Sequence, residues 1–260
     1  MADGPEDSEL ELEPKPPLGG LRRRGIYLLP NLFTTGVLFS GFFAIVQAMN
    51  GMFDRAAIAV YVAMVLDGMD GRVARWTHTQ SEFGAQYDSI ADMVAFGAAP
   101  ALIAYTWALK DLGTLGWIGA FIYCGGAGIR LARFNANITV VDKRYFQGLP
   151  SPAAAGVVAG AVWCGLNFDV PGSAMIIPAY ILTVGAGALM VSSIGFYSFK
   201  DLKLQGKVPF TVLLAVPVLL IIIYLSPPNI LFLSFLLYAL FGIAMAMWRL
   251  RKRLQHRKPA

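Results

Sequence analysis

Histidine and cysteine are scarce in this 260-residue chain, with two of each, and only 14% of its residues are charged. His78 falls in a short polar turn and His256 in a basic tail, and neither has a partner at metal-ligand spacing. No Ser-His-Asp or Cys-His arrangement can be assembled, which excludes the usual nucleophilic hydrolases. Cys124 and Cys164 both lie within apolar runs and read as packing residues rather than a disulfide or metal pair. The glycines of "GGAG" (125–128) follow no strand, so they make no dinucleotide fingerprint. A soluble domain carries about 25% charged residues, and this chain falls well short. The first 20 residues are polar, with six acids and four prolines, so no cleavable signal peptide is expected. The net charge of +5 gathers at segment ends, as in "LRRRG" (21–25) and "RLRKRLQHRK" (249–258). That is the pattern of membrane helices facing anionic headgroups, and it argues against a nucleic-acid partner.

What the chain does have is apolar length. With 57% hydrophobic residues and repeated runs near 20 residues, it reads as an all-α, polytopic transmembrane helical bundle. About eight spans are expected, near 32–50, 54–76, 84–107, 115–136, 151–168, 173–196, 208–226 and 229–249. The organisation is a disordered acidic tail (1–20), a membrane domain (21–200), two additional helices (201–249) and a basic tail (250–260). A short interfacial helix should precede the first span, with Pro30 and Asn31 opening it. If the N-terminus is cytoplasmic, only Arg55 and Lys110 of the 21 Lys and Arg residues fall on the outer side. Both termini, and the turn at 77–83, are therefore expected in the cytoplasm. Small residues in "GGAG", "AAAGVVAGA" (153–161) and "GAGA" (185–188) read as close helix contacts, with Gly156 and Gly160 a small-xxx-small pair.

Against this background "LDGMDGRVARWTHTQSEFGAQYDSIAD" (66–92) stands out. Asp67 and Asp70 are three apart, Asp88 and Asp92 four apart, so each pair shares a helical face. A short turn would set the two helices antiparallel and bring both pairs together. Four carboxylates in one place repel unless cations intervene, and oxygen ligands suit Mg²⁺ or Mn²⁺. Two ions about 3.5–4 Å apart would match a phosphoryl-transfer centre. Gly71, Ala74 and Gly84 remove bulk where a ligand would approach backbone, and Arg75 offers a charge to a phosphate or a neighbouring carboxylate. A solvated, salt-bridged helix end explains one Asp–Arg pair but not four aspartates with small residues between them.

Written as D-x-x-D-G-x-x-A-R-x8-G-x3-D-x3-D, the stretch resembles the signature of the CDP-alcohol phosphatidyltransferases, integral membrane enzymes of phospholipid synthesis. The resemblance implies that Asp67, Asp70 and Asp88 ligate a two-metal centre, with Asp92 completing it and acting as general base. It further implies that Gly71, Ala74, Arg75, Ser81 and Gly84 line the site of CDP-diacylglycerol, together with Asn31, Leu32, Phe33 and Thr34 of "NLFT". Asn31 also reads as a helix cap, and the two roles are compatible.

The acceptor is carried by "IRLARFN" (129–135) and "RYFQGLPSPAAAG" (144–156), which resemble the family's serine-using bacterial members. That implies transfer of the phosphatidyl group to L-serine, in the cytoplasmic membrane of a bacterium, by a homodimer whose site faces the cytoplasm. Arg130 and Arg133, three apart, can share a face and grip a carboxylate, and Asn135 follows. They can equally be boundary charges. Ser151, opening a span, reads as a cap rather than a nucleophile. Two alternatives stay open: a sister enzyme using glycerol 3-phosphate or inositol phosphate, and a cation-coupled transporter, since intramembrane acids also mark ion pathways.

Overall fold

Helix-breaking residues and small-residue contacts position the elements. The computed structural model describes residues 19–77, 81–136, 145–197, 217–218 and 221–255. Helix α1 (Gly19–Met49) ends where Gly51, at φ 74, allows the Gly51 amide to reach Ala48 and the Met52 amide to reach Gln47. Such a left-handed cap satisfies the last carbonyls and turns the chain into α2 (Phe53–Thr77). The expected break at Pro30 does not occur, and α1 runs through it from Gly19. Proline removes a single amide donor, and a membrane helix tolerates that where other groups re-satisfy the carbonyl.

The next span is one rod with an irregular centre. Helix α3 (Glu82–Asp92) passes into a π-helical segment, Met93–Ala98, and then into α4 (Ala99–Trp107). In an α-helix the amide of residue 100 would bond the carbonyl of Phe96, but Pro100 has no amide. The hydroxyl of the buried Tyr123 donates to that carbonyl instead, at 3.0 Å. Tyr123 belongs to α5 (Thr114–Ala136), which is followed by α6 (Ser151–Asn167), α7 (Ile176–Val191) and α8 (Pro227–Gln255).

Among the described residues four stretches are long and apolar enough to cross a membrane: Asn31–Met49, Glu82–Trp107, Thr114–Ala136 and Pro227–Arg249. The fold is thus an all-α membrane bundle. Helix α2 carries six charged residues, and α6 and α7 are shorter, with 17 and 16 residues. Most of the expected span at 208–226 lies outside the described residues, as do His78, His256 and residues 1–18 of the expected tail, whose last two residues belong to α1.

One element was not expected. Strands β1 (Tyr145–Gln147) and β2 (Gly195–Tyr197) pair antiparallel, with Phe146 opposite Phe196. This ribbon ties the start of α6 to the end of α7. Gly148, at φ 80, continues the tie by donating its amide to Ile194 at 2.8 Å, and Leu149 donates to Leu189 at 3.0 Å.

The core is built largely of alanine, valine and glycine, so that backbones approach closely. A Cβ on Gly126 would lie 2.7 Å from the Gly187 carbonyl oxygen, which bears out the packing reading of "GGAG" and "GAGA". On Gly41 of α1 it would lie 2.6 Å from Ala95 Cα, inside the π segment. Gly41→Ala must therefore push α1 off the irregular turn, at an overpacking cost of about 1–3 kcal/mol. Thermal unfolding in detergent should show a lowered midpoint, while the surface variant Leu115→Ala leaves it in place.

Candidate active site

The site forms where α2 and α3 meet beside α1, because the sequence puts its carboxylates one helical turn apart on both. Single oxygens from Asp67, Asp70 and Asp88 all lie within 4.8 Å of one another. Asp92 stands one turn deeper on α3, in electrostatic range of Asp67, Asp88 and Asp70. Asp70 is buried, at 6% exposure, and the other three are half-buried. Asp67 and Asp70 lie in the second half of α2, and Asp88 and Asp92 in the first half of the Glu82–Trp107 span.

Helix α1 supports the cluster. Thr34 is buried and its hydroxyl donates to Asp70 Oδ2 at 3.1 Å. Thr35 shares a 3.0 Å hydrogen bond with the Tyr87 hydroxyl of α3. A Cβ on Gly84 would lie 3.1 Å from Ser81 Oγ and 3.5 Å from Asn31 Oδ1, so the "NLFT" stretch and the motif glycine converge. Ser81 is the N-cap of α3 and accepts the Gly84 amide at 3.0 Å. Phe33 is half-buried, whereas Leu32 is left 68% exposed on the outer side of α1. Gly71 follows Asp70 directly on α2 and gives it a backbone hydrogen bond. Ala74 and Arg75 lie on the same helix, but their side chains are outside the described residues.

The three candidate acceptor residues part company. Arg130 faces the carboxylates, in electrostatic range of Asp92 and Asp67, and its Nη1 donates to Ser151 Oγ at 2.8 Å. Arg133, one turn nearer the end of α5, donates instead to the Val191 carbonyl at 2.9 Å, at the end of α7. Asn135 donates to Ser89 Oγ at 2.9 Å and ties α5 to α3. Ser151 is not the cap expected of it: Pro150 occupies the N-cap position, and the fully buried Ser151 hydroxyl serves the arginine.

Several contributors escaped sequence reasoning. The family resemblance presents Thr34 as a nucleotide contact and does not signal its support of Asp70. Ser151 carried a weak signal, a small polar residue inside "GLPSPAAAG". Tyr238 of α8, in electrostatic range of Arg130, carried none.

The donor set suits a hard divalent cation. Asp70 and Asp88 lie within hydrogen-bonding reach of each other, which two ionised carboxylates tolerate only across a proton or a cation. Asp88 Oδ1 and Asp92 Oδ1 are both buried with no hydrogen-bond partner among the described residues. Orphaned carboxylate oxygens in a cluster of acids are what a cation would satisfy.

Comparison with known proteins follows the same lines. The model of the CDP-alcohol phosphatidyltransferase family matches residues 27–192. The chain is 37% identical over 223 residues to the CDP-diacylglycerol–serine O-phosphatidyltransferase of Helicobacter pylori, covering 84% of this chain and 90% of that relative. It is 36% identical over 185 residues to the protein of that name from Methanocaldococcus jannaschii, covering 71% of this chain and 80% of the relative. A shorter match, 36% over 148 residues, reaches the Saccharomyces cerevisiae protein of the same name, covering 50% of this chain and 53% of the relative.

Proposed function

We infer the activity from one premise: the chain belongs to the CDP-alcohol phosphatidyltransferase family. It transfers the phosphatidyl group of CDP-diacylglycerol to the hydroxyl of L-serine, giving phosphatidylserine and CMP. The observation that carries this reading is the meeting of three ligand-grade carboxylates with a fourth, Asp92, that lies in range of the half-buried Arg130. The relatives that bear the serine-transferase name, similar over most of the chain, support the choice of acceptor.

Asp67, Asp70 and Asp88, with Asp92 beside them, would hold Mg²⁺ or Mn²⁺, and two ions would match the phosphoryl-transfer centre that the motif implies. The bound metal supplies Lewis-acid stabilisation of charge on the pyrophosphate. Thr34 fixes the Asp70 carboxylate from below by its hydrogen bond. Asn31 and Gly84, which converge beside Ser81, and Gly71 next to Asp70 are the residues we assign to the CDP moiety, and Ala74 and Arg75 join them on the motif alone. Asp92 Oδ1, buried and without a protein partner among the described residues, accepts the serine hydroxyl proton. The serine oxygen then forms its bond to the β-phosphorus, and the bond from that phosphorus to the CMP oxygen breaks. Arg130 holds the serine carboxylate, close enough to Asp92 to present the hydroxyl to it. Arg133 and Asn135 act one step back, fixing α5 against α7 and α3.

The lipid substrate enters sideways from the inner leaflet of a bacterial cytoplasmic membrane, with its headgroup at the cytoplasmic face, and the product remains in the bilayer. The enzyme works as a homodimer. The test is CMP release from CDP-diacylglycerol in detergent–lipid micelles, with serine, glycerol 3-phosphate and inositol phosphate compared side by side. Serine alone should support turnover. Release with a phosphorylated acceptor only would overturn the serine assignment, and no release with any acceptor would favour an ion-coupled carrier.

The geometry also separates the two arginines. Arg130→Lys keeps charge but loses the planar fork, so the serine KM should rise about ten-fold, with the CDP-diacylglycerol KM and kcat little changed. Arg133→Lys should lower thermal stability and leave the serine KM alone, because its partner is a backbone carbonyl. Steady-state kinetics on both variants decides the matter.

A further inference from the structure

Residue 151 has no local need of a hydroxyl. Pro150 takes the N-cap position of α6, and the residues that follow, 152–155, are proline and alanine. The Ser151 side chain is nonetheless fully buried, where a hydroxyl costs free energy unless it is hydrogen-bonded. Its partner is a charged group from another helix, since Arg130 Nη1 donates to Ser151 Oγ at 2.8 Å. The oxygen is also held still. Just before it, the Gly148 and Leu149 amides bond the carbonyls of Ile194 and Leu189, at and just beyond the end of α7. Arg133 bonds the Val191 carbonyl in the same place. Both arginines of α5 therefore dock on one junction of α6 and α7, the first on a side chain and the second on backbone.

Contacts along α5 give the height of Arg130. Asn135 reaches Ser89, a Cβ on Gly128 would lie 3.6 Å from Met93 Cε, and a Cβ on Gly97 would lie 3.3 Å from Ala127 Cβ. The two rods thus pass antiparallel, and Arg130 comes level with Asp92. A guanidinium carries five donors on a long, mobile stem, so its aim has to be set by something else. Here Nη1 is committed to Ser151, while Nε is buried with no hydrogen-bond partner among the described residues. An orphaned donor of this kind is what an incoming acceptor oxygen would satisfy. The anchor is also neutral. It directs the fork without cancelling its charge, whereas a carboxylate anchor would do both. We propose that Ser151 is a positioning residue for acceptor recognition, its buried hydroxyl fixing Arg130 Nη1 so that the edge of the fork that carries Nε meets the carboxylate of the amino-acid acceptor beside Asp92. This rests on the serine reading above. The start of α6, which holds no group that reacts, would then set how well serine binds.

The experiment is serine-dependent CMP release by full-length wild type, Ser151→Ala, Arg130→Met and the double variant, in detergent–lipid micelles. Release by the wild type is measured first. Its absence overturns the serine reading and the proposal with it, whereas its presence leaves the variants to judge Ser151 alone. Ser151→Ala should raise the serine KM about ten-fold, the scale of one hydrogen bond to a charged group, with kcat and the CDP-diacylglycerol KM little changed. Arg130→Met removes the group through which the hydroxyl acts. Adding Ser151→Ala to it should therefore lower kcat/KM for serine by no more than about two-fold further, the non-additivity of two residues in one interaction. Ser151→Cys, close in size but a weaker acceptor, should give an intermediate serine KM, and it replaces the alanine variant should that one not fold. A serine KM at the wild-type value in the variant that folds overturns the proposal. So does an equal fall in both backgrounds, or a rise in the CDP-diacylglycerol KM that matches the rise for serine, since each marks the hydroxyl as packing at a helix start.

Discussion

Asp70→Asn should bring CMP release down by about 10²–10³-fold or more, the scale for losing a group that stabilises transition-state charge. The substitution conserves size, and Asn can still accept from Thr34, so folding should survive. What changes is the side facing Asp88. An amide turned that way donates a hydrogen bond to the carboxylate and removes one of three acidic oxygens that lie within 4.8 Å. Cation affinity should fall with it. Mn²⁺ binding followed by electron paramagnetic resonance gives a readout separate from turnover: strong binding by the wild type, weakened binding by Asp70→Asn. Chelator-treated wild type should be inactive and recover with Mg²⁺ or Mn²⁺, whereas Ca²⁺ with its looser coordination restores little. Full activity in chelator, or undiminished Mn²⁺ binding by the variant, would remove the metal from the mechanism.

Asp92→Asn should separate binding from chemistry. Asp92 lies outside the tight triad and its Oδ1 is buried and unpartnered among the described residues, as a proton acceptor needs to be. Loss of a general base costs about 10²–10⁴-fold in turnover. Affinity for CDP-diacylglycerol, measured by equilibrium binding in micelles, should stay near that of the wild type. An affinity loss equal to that of Asp70→Asn would instead class Asp92 with the ligands.

The two variants touch the part of the molecule that sequence describes best. Spacing of three and four put the carboxylates on helical faces, and the short connection between α2 and α3 left them little choice but to meet. Local rules end there. Arg130 and Arg133 are equivalent by spacing, and only the end of α7, nearly 60 residues on, gives Arg133 a partner different from that of Arg130. Ser151 looked like a helix cap because position alone cannot reveal an arginine brought to it by α5. Tyr238 belongs to a helix whose apolar composition says only that it spans a membrane. The ribbon of β1 and β2 was illegible for a related reason: three-residue strands have no periodicity to detect, and their pairing joins two distant loops. The eightfold span count likewise rested on runs of apolar residues, whereas α2 shows that a site-bearing helix need not be uniformly apolar.

The π segment at Met93–Ala98 has a consequence at the level of the gene. A π turn contains one more residue than the α turn it replaces, so this stretch encodes a residue that the length of the span does not require. Loss of a single codon there can be absorbed by rewinding to α, with Asp88 and Asp92 on one side and the helix after Pro100 on the other keeping their directions. The same loss between Asp88 and Asp92 has no slack to draw on. It would turn one carboxylate away by about 100°, and the reading frame would survive while the site did not.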